Sequence, residues 1–153
     1  MNKGRGQEAE NWMNQAFYDL KAVQWNLKGE FFNTVCFLSQ QASEKALKSL
    51  VYFSVISRKK LLTHSVFELM KLTIKVIPEL QGFLDDAREL DLHYIPSRYP
   101  NGLVSGYPHQ FYGESTAEHA LKAAERIINV IDQYLISKGF ERENQNNPIN
   151  QNN

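Results

Sequence analysis

The feature that most constrains this chain lies near its end. Between residues 115 and 138, Ala117, Ala120, Leu121, Ala124, Ile127, Ile128, Ile131 and Leu135 recur three and four positions apart. That period gathers them on one face of a helix; a strand would send alternate residues to opposite faces. A long helix with one apolar face must be covered by other elements. The rest of the sequence offers helices to do so. Residues 7–28 carry Trp12, Ala16, Leu20, Val23 and Leu27 at the same spacing, and Gly29 reads as a C-terminal cap. Residues 30–55 carry Phe32, Cys36, Ser39, Ser43, Ala46, Leu47 and Leu50 on one side, with Gln41, Lys45, Lys48 and Tyr52 on the other. Ser65-x-x-Glu68 and Ser115-x-x-Glu118 are capping-box patterns that open helices. The first of these helices stops before Pro78, and a further helix spans about 79–93, with Leu80, Phe83, Leu84, Ala87 and Leu90 inward. No segment alternates in the manner of a strand. The expectation is an all-α fold, an antiparallel four- to five-helix bundle with a long ordered loop before the last helix.

That loop, residues 94–114, holds Pro96, Pro100, Pro108, Gly102, Gly106 and Gly113 among several aromatics. Long loops inside compact domains tend to carry function. The boundaries expected are a loose leader at 1–6, one helical domain at 7–139 and a disordered polar tail at 140–153, where Asn, Gln and charge leave nothing to bury.

Composition narrows the function classes. Lys plus Arg and Asp plus Glu are 17 each, which argues against duplex DNA or a membrane surface as the main partner. No apolar run reaches the roughly 20 residues that span a bilayer. The single cysteine, Cys36, excludes an internal disulfide, and its apolar neighbours make it a buried thiol. These features point to a cytoplasmic setting. The chain lacks a Walker loop, a dinucleotide fingerprint, His-Glu-x-x-His and Gly-x-Ser-x-Gly. No metal site and no covalent cofactor are expected; His109 and His119 are too far apart to act as a zinc pair.

Four constellations can carry chemistry. Lys45 and Lys48, one turn apart with Gln41 before them, can converge on an anion, although Glu44 and Lys48 also fit an ordinary i,i+4 pair on a solvated face. In Tyr94-x-x-x-Arg98-Tyr99-Pro100-Asn101-Gly102, Arg98 can grip a phosphate with a planar fork and the tyrosines can stack on a base. The same loop also fits a structural role in which Arg98 pairs with a helix-end carboxylate such as Asp91. Arg88-x4-His93 and Arg58-x5-His64 have the spacing of a general acid–base histidine beside a phosphate-binding arginine, while His64 beside Ser65 also reads as a simple helix-start residue. Lys122 and Arg126 on the last helix can add positive charge to a pocket, or pair with neighbours such as Glu118.

Read in order, Trp12-x-x-Gln15-Ala16-x-x-Asp19-Leu20, Gln40-Gln41-Ala42-x-Glu44-Lys45-x-Leu47-Lys48, His64-Ser65 and Tyr94-x-x-x-Arg98-Tyr99-Pro100 resemble the HEPN domain, named for higher eukaryotes and prokaryotes nucleotide-binding. The loop and last helix are most similar to the C-terminal HEPN domain of sacsin, a large chaperone-linked protein. The resemblance implies a helical bundle that forms a homodimer and binds a purine nucleotide of the GTP or ATP type, inside a larger chaperone-linked protein. Lys45, Lys48, Tyr94, Arg98, Tyr99, Asn101 and Lys122 would then form the nucleotide site, with no catalytic residue. Two alternatives accompany it. One is a purely structural dimerisation domain. The other is a metal-independent ribonuclease using Arg88 and His93, although the Glu89 that follows Arg88 departs from the polar residue usual in that motif.

Overall fold

The computed structural model describes residues 3–54 and 58–141, and all regular structure among them is helical. Six α-helices follow one another: α1 (Lys3–Lys28), α2 (Phe32–Phe53), α3 (Val66–Thr73), α4 (Leu84–Leu92), α5 (Pro108–Phe111) and α6 (Glu114–Ser137). Short 3-10 turns occupy Arg58–Leu62, Pro78–Phe83 and Pro100–Gly102. No helix among the described residues is long and apolar enough to cross a membrane. The all-α bundle expected from the sequence is therefore present. The expected tail from residue 142 onward, and residues 55–57, lie outside the described residues.

α1 and α2 form a hairpin whose tight joint is set by backbone bonding. Phe31 N–H donates to Asn26 O and Glu30 N–H to Leu27 O, which closes α1 as a Schellman motif. The left-handed residue of that motif is Glu30, at φ 63°, and not the expected Gly29. Ala9, Met13, Ala16, Leu20 and Val23 of α1 are fully buried. On α2, the small residues Ala42, Ala46 and Ser49 are fully buried. Ser49 Oγ donates to the Ala9 carbonyl at 2.7 Å.

α2 is the axis of the bundle, since α1, α3, α4, α5 and α6 all pack on it. This overturns the expected division of α2 into an inner and a solvated side. Gln40, Glu44 and Lys48 are buried along with the apolar stripe, because a helix packed against five others has little free face. α6 behaves as its pattern demands: every residue of its apolar stripe is buried. Its start differs from expectation. Gly113 is the N-cap and the Ser115 side chain makes no cap bond, because Gly113 O already receives the Ala117 N–H one turn on. Ser65 does cap α3, accepting the Glu68 N–H at 3.0 Å.

Two domain limits shift outward. α1 begins at Lys3, within the expected leader. Phe140, the first residue of the expected tail, is buried with its ring edge-on to Phe53 at 6.3 Å. Gly139, at φ 85°, turns the chain so that Phe140 can fold back, as a Schellman cap does.

Candidate functional site

The charged residues singled out in the sequence separate into two kinds once folded. Lys45 forms an ion pair with Asp19 of α1, whose other carboxylate oxygen takes the Gln15 amide at 2.8 Å. Lys48 Nζ lies 2.7 Å from Glu44 Oε1, and both side chains are only 5% exposed. The Lys48 ammonium also sits 5.4 Å from the centre of the Trp12 ring, which stacks on Tyr52. Both lysines are thus neutralised inside the α1–α2 contact. The bundle does not present them to a ligand as the sequence reading expected.

Arg98 is held differently. Its Nε donates to the Tyr94 carbonyl at 2.8 Å, and its guanidinium carbon lies 4.3, 4.5 and 4.9 Å from the ring centres of Phe37, Tyr94 and Tyr99. Arg88 and Arg126 pair with Asp85 and Asp86, but Arg98 has no carboxylate partner among the described residues. Asp91, the carboxylate that the structural-loop reading offered to it, is engaged elsewhere. Its two oxygens accept from Ser65 Oγ, Val66 N–H and Phe67 N–H at 2.7 to 3.0 Å, and so cap α3. Asn33 of α2 ties the Arg98 loop down by donating to Ser97 O at 3.1 Å.

Beside Arg98 the fold brings together two residues that the sequence offered separately, His64 and Tyr94. The His64 ring stacks on Tyr94, with centres 5.4 Å apart and planes 17° from parallel. His64 Nδ1 is 3.0 Å from Glu44 Oε1. A carboxylate only accepts, so Nδ1 carries the proton and Nε2 is the nitrogen left to solvent. The imidazole is 61% exposed over a carboxylate that is 5% exposed. Gln40 fixes the backbone beneath by donating to His64 O at 2.7 Å, and Gln41 donates to the other Glu44 oxygen. Phe37, by contrast, was unmarked in the sequence, since it reads as one more apolar residue beside Cys36.

The remaining candidates scatter. Tyr99 and Asn101 are exposed on the segment after Arg98, Asn101 within a 3-10 turn. Lys122 neighbours Glu125 on α6, whose carboxyl is pushed up by burial although Lys122, Arg126 and a hydrogen bond from Gln24 pull it down. Arg88 and His93, five residues apart on and just after α4, leave in different directions. Arg88 lies over Phe67 of α3 at 4.7 Å, whereas His93 Nδ1 is 3.1 Å from the Tyr112 hydroxyl. Burial lowers the His93 pKa below its usual 6.5. Burial also raises the Tyr112 hydroxyl and the Cys36 thiol, each to about 12. His93 and His119 line a cavity of about 250 Å³ with Glu89, Ser115 and Thr116.

The fold that carries these residues is a helical bundle built around one central helix. Residues 9–134 match the HEPN domain, and the chain belongs to that family. It is 26% identical over 136 residues to the toxin candidate MJ1304 of Methanocaldococcus jannaschii, covering 85% of this chain and 90% of the other. Among solved structures it resembles TT1696 from Thermus thermophilus, with a TM-score of 0.76 at 29% identity, over 82% of this chain and 97% of that one. It also resembles ST0689, an archaeal HEPN homologue, with a TM-score of 0.67 at 32% identity, over 84% and 98%.

Proposed function

We propose that this HEPN domain binds a nucleotide at the Arg98 platform. Arg98 grips phosphate, Tyr99 offers a face for a base, Asn101 contacts base or sugar, and Tyr94 supports the guanidinium from below. The observation that carries this reading is Arg98 itself. It is a half-buried cation with three aromatic neighbours and no carboxylate partner among the described residues. Aromatic faces orient the planar fork without cancelling its charge, which an ion pair would do. Lys45, Lys48 and Lys122 drop out of the proposed site. Pairing of two copies is part of the proposal. Phe31, Tyr107 and Phe111 are each more than half exposed, and the stretch 94–113 carries one formal charge, that of Arg98; such a surface suits a protein partner. A tie to the sacsin branch and to chaperones rests on the likeness of the loop and last helix alone. The test is thermal: GTP or GMP raises the melting temperature of the protein and fails to raise that of Arg98→Ala. Equal melting curves with and without each nucleotide would leave only a dimerisation domain.

The relative described as a toxin candidate supports a second reading, RNA cleavage without metal. The divergence of Arg88 from His93 speaks against those two as its acid–base pair. Incubation with RNA in EDTA, beside His93→Ala, decides it: cleavage that disappears in the variant would rank this reading first.

A further inference from the structure

We infer that the outward face of α1 docks single-stranded nucleic acid, with Tyr18 and Trp25 stacking on bases and Lys21 and Lys28 meeting the phosphates. The surface uses none of the residues of the Arg98 platform, so it stands or falls apart from it.

α1 buries Ala16, Leu20 and Val23 on one side and leaves two rings on the other: Trp25 is 77% exposed and Tyr18 50%. A lone exposed ring is ordinary, but these two form a row. Seven residues apart, they lie about 20° from one another around the helix and about 10 Å apart along it. Lys21 and Lys28 repeat that interval, displaced about 60° to one side. Lys21 Nζ is 5.1 Å from the centre of the Tyr18 ring, so the two rows adjoin. A single strand has the same layout, with bases along one edge and phosphates along the other.

Charge fits that occupant. Between residues 11 and 29 the one carboxylate is Asp19, which is buried against Lys45. Over that stretch the outward face of α1 carries two positive charges and no negative one. Toward the N-terminus it continues with Asn11 and Asn14, whose amides can donate to and accept from base edges. Glu125 of α6, which Gln24 of α1 reaches, has Lys122 and Arg126 beside it. Other occupants fit less well. A protein interface draws on a contiguous apolar core and is poor in lysine. Here the only aliphatic side chain between residues 11 and 29 that lies within about 60° of Trp25 is Ala22. The same lack tells against a lipid surface, which takes up leucine and phenylalanine from the apolar face of a helix. A duplex hides the base faces that the rings need.

The probe is an oligothymidylate of about ten nucleotides, used single-stranded and paired with its complement. Binding is read from quenching of tryptophan emission and from the anisotropy of the labelled strand, at several salt concentrations. The protein is compared with Trp25→Ala, Trp25→Phe, Lys21→Gln and Lys28→Gln. Each is also made on Arg98→Ala, so that binding at the loop does not stand in for binding at α1. Trp25→Ala should weaken binding of the single strand about tenfold, the loss of one stacked base. Trp25→Phe, which keeps a ring, should weaken it by no more than about threefold. Removing either lysine should lower the slope of log affinity against log salt by about 0.7. The duplex should bind at least about tenfold more weakly than the single strand. No binding of the single strand, affinity unchanged in Trp25→Ala, or a duplex bound as tightly would each overturn the inference. So would a dimer that Trp25→Ala dissociates in sedimentation while the oligonucleotide stays unbound, which would give this face to a second copy of the chain.

Discussion

The α1–α2 contact and the Arg98 loop use positive side chains in opposite ways. In the first, Lys48 is buried and Lys45 largely so, and each meets a carboxylate from α1 or from its own helix. In the second, Arg98 is bordered by rings and keeps its charge. An ion pair taken out of water is costly to break, because the surviving charge stays buried. A cation against aromatic faces can still meet an anion from outside. Whether a lysine or arginine belongs to the fold or to a ligand is set by what lies beside it, and spacing along a helix does not say.

The sharpest way to break this contrast is to remove one member of each region. Lys48→Ala leaves Glu44 buried without its ammonium and should cost about 3 to 5 kcal/mol of stability, read from urea unfolding. A loss below about 1 kcal/mol would mean the pair is not structural. Arg98→Ala should cost about 1 kcal/mol or less in the same assay, the scale of its ring contacts. It should weaken nucleotide binding at least tenfold, about 1.4 kcal/mol.

Two smaller effects sharpen the picture away from the charged sites. Glu30 adopts the left-handed conformation that glycine takes without strain, so Glu30→Gly should stabilise the α1–α2 hairpin by about 0.5 to 1 kcal/mol. Unchanged unfolding would show that Glu30 is not strained there. His93 gives the smallest effect and fixes its sign. Burial lowers its folded pKa below 6.5, so its contribution is present above pH 6.5 and is lost as pH falls through the folded value. Melting temperatures from pH 7 to pH 5 should therefore fall more steeply for the protein than for His93→Gln. Parallel slopes would mean that His93 is protonated without cost.

Much of this arrangement was legible in the chain. The α6 stripe, the Ser65 cap on α3 and the burial of Cys36 all follow from rules acting within a few residues, where period, cap and neighbour are written side by side. Arg98, Tyr94 and Tyr99 were picked out because they lie within one short segment. What failed were statements about which side of α2 faces water, where α6 begins and which residues surround Arg98. The Ser115 box was a valid local signal that lost to the backbone of Gly113. His64 read either as the acid–base partner of Arg58 or as a helix-start residue, because nothing within reach of it in sequence names Glu44 as its partner.

The sequence by itself determined that this protein is a helical bundle, where its long helices run and which segment carries the aromatic and cationic side chains, because hydrophobic period and capping are short-range matters; the short helix at Pro108–Phe111 and the 3-10 turn at Pro78–Phe83 were not legible in it. Only the tertiary structure decided that α2 sits at the centre, in contact with the five other helices. That placement turns Lys48 into a buried counterion and leaves Arg98 and His64 flanking one tyrosine, because electrostatic roles depend on burial and on neighbours far away along the chain.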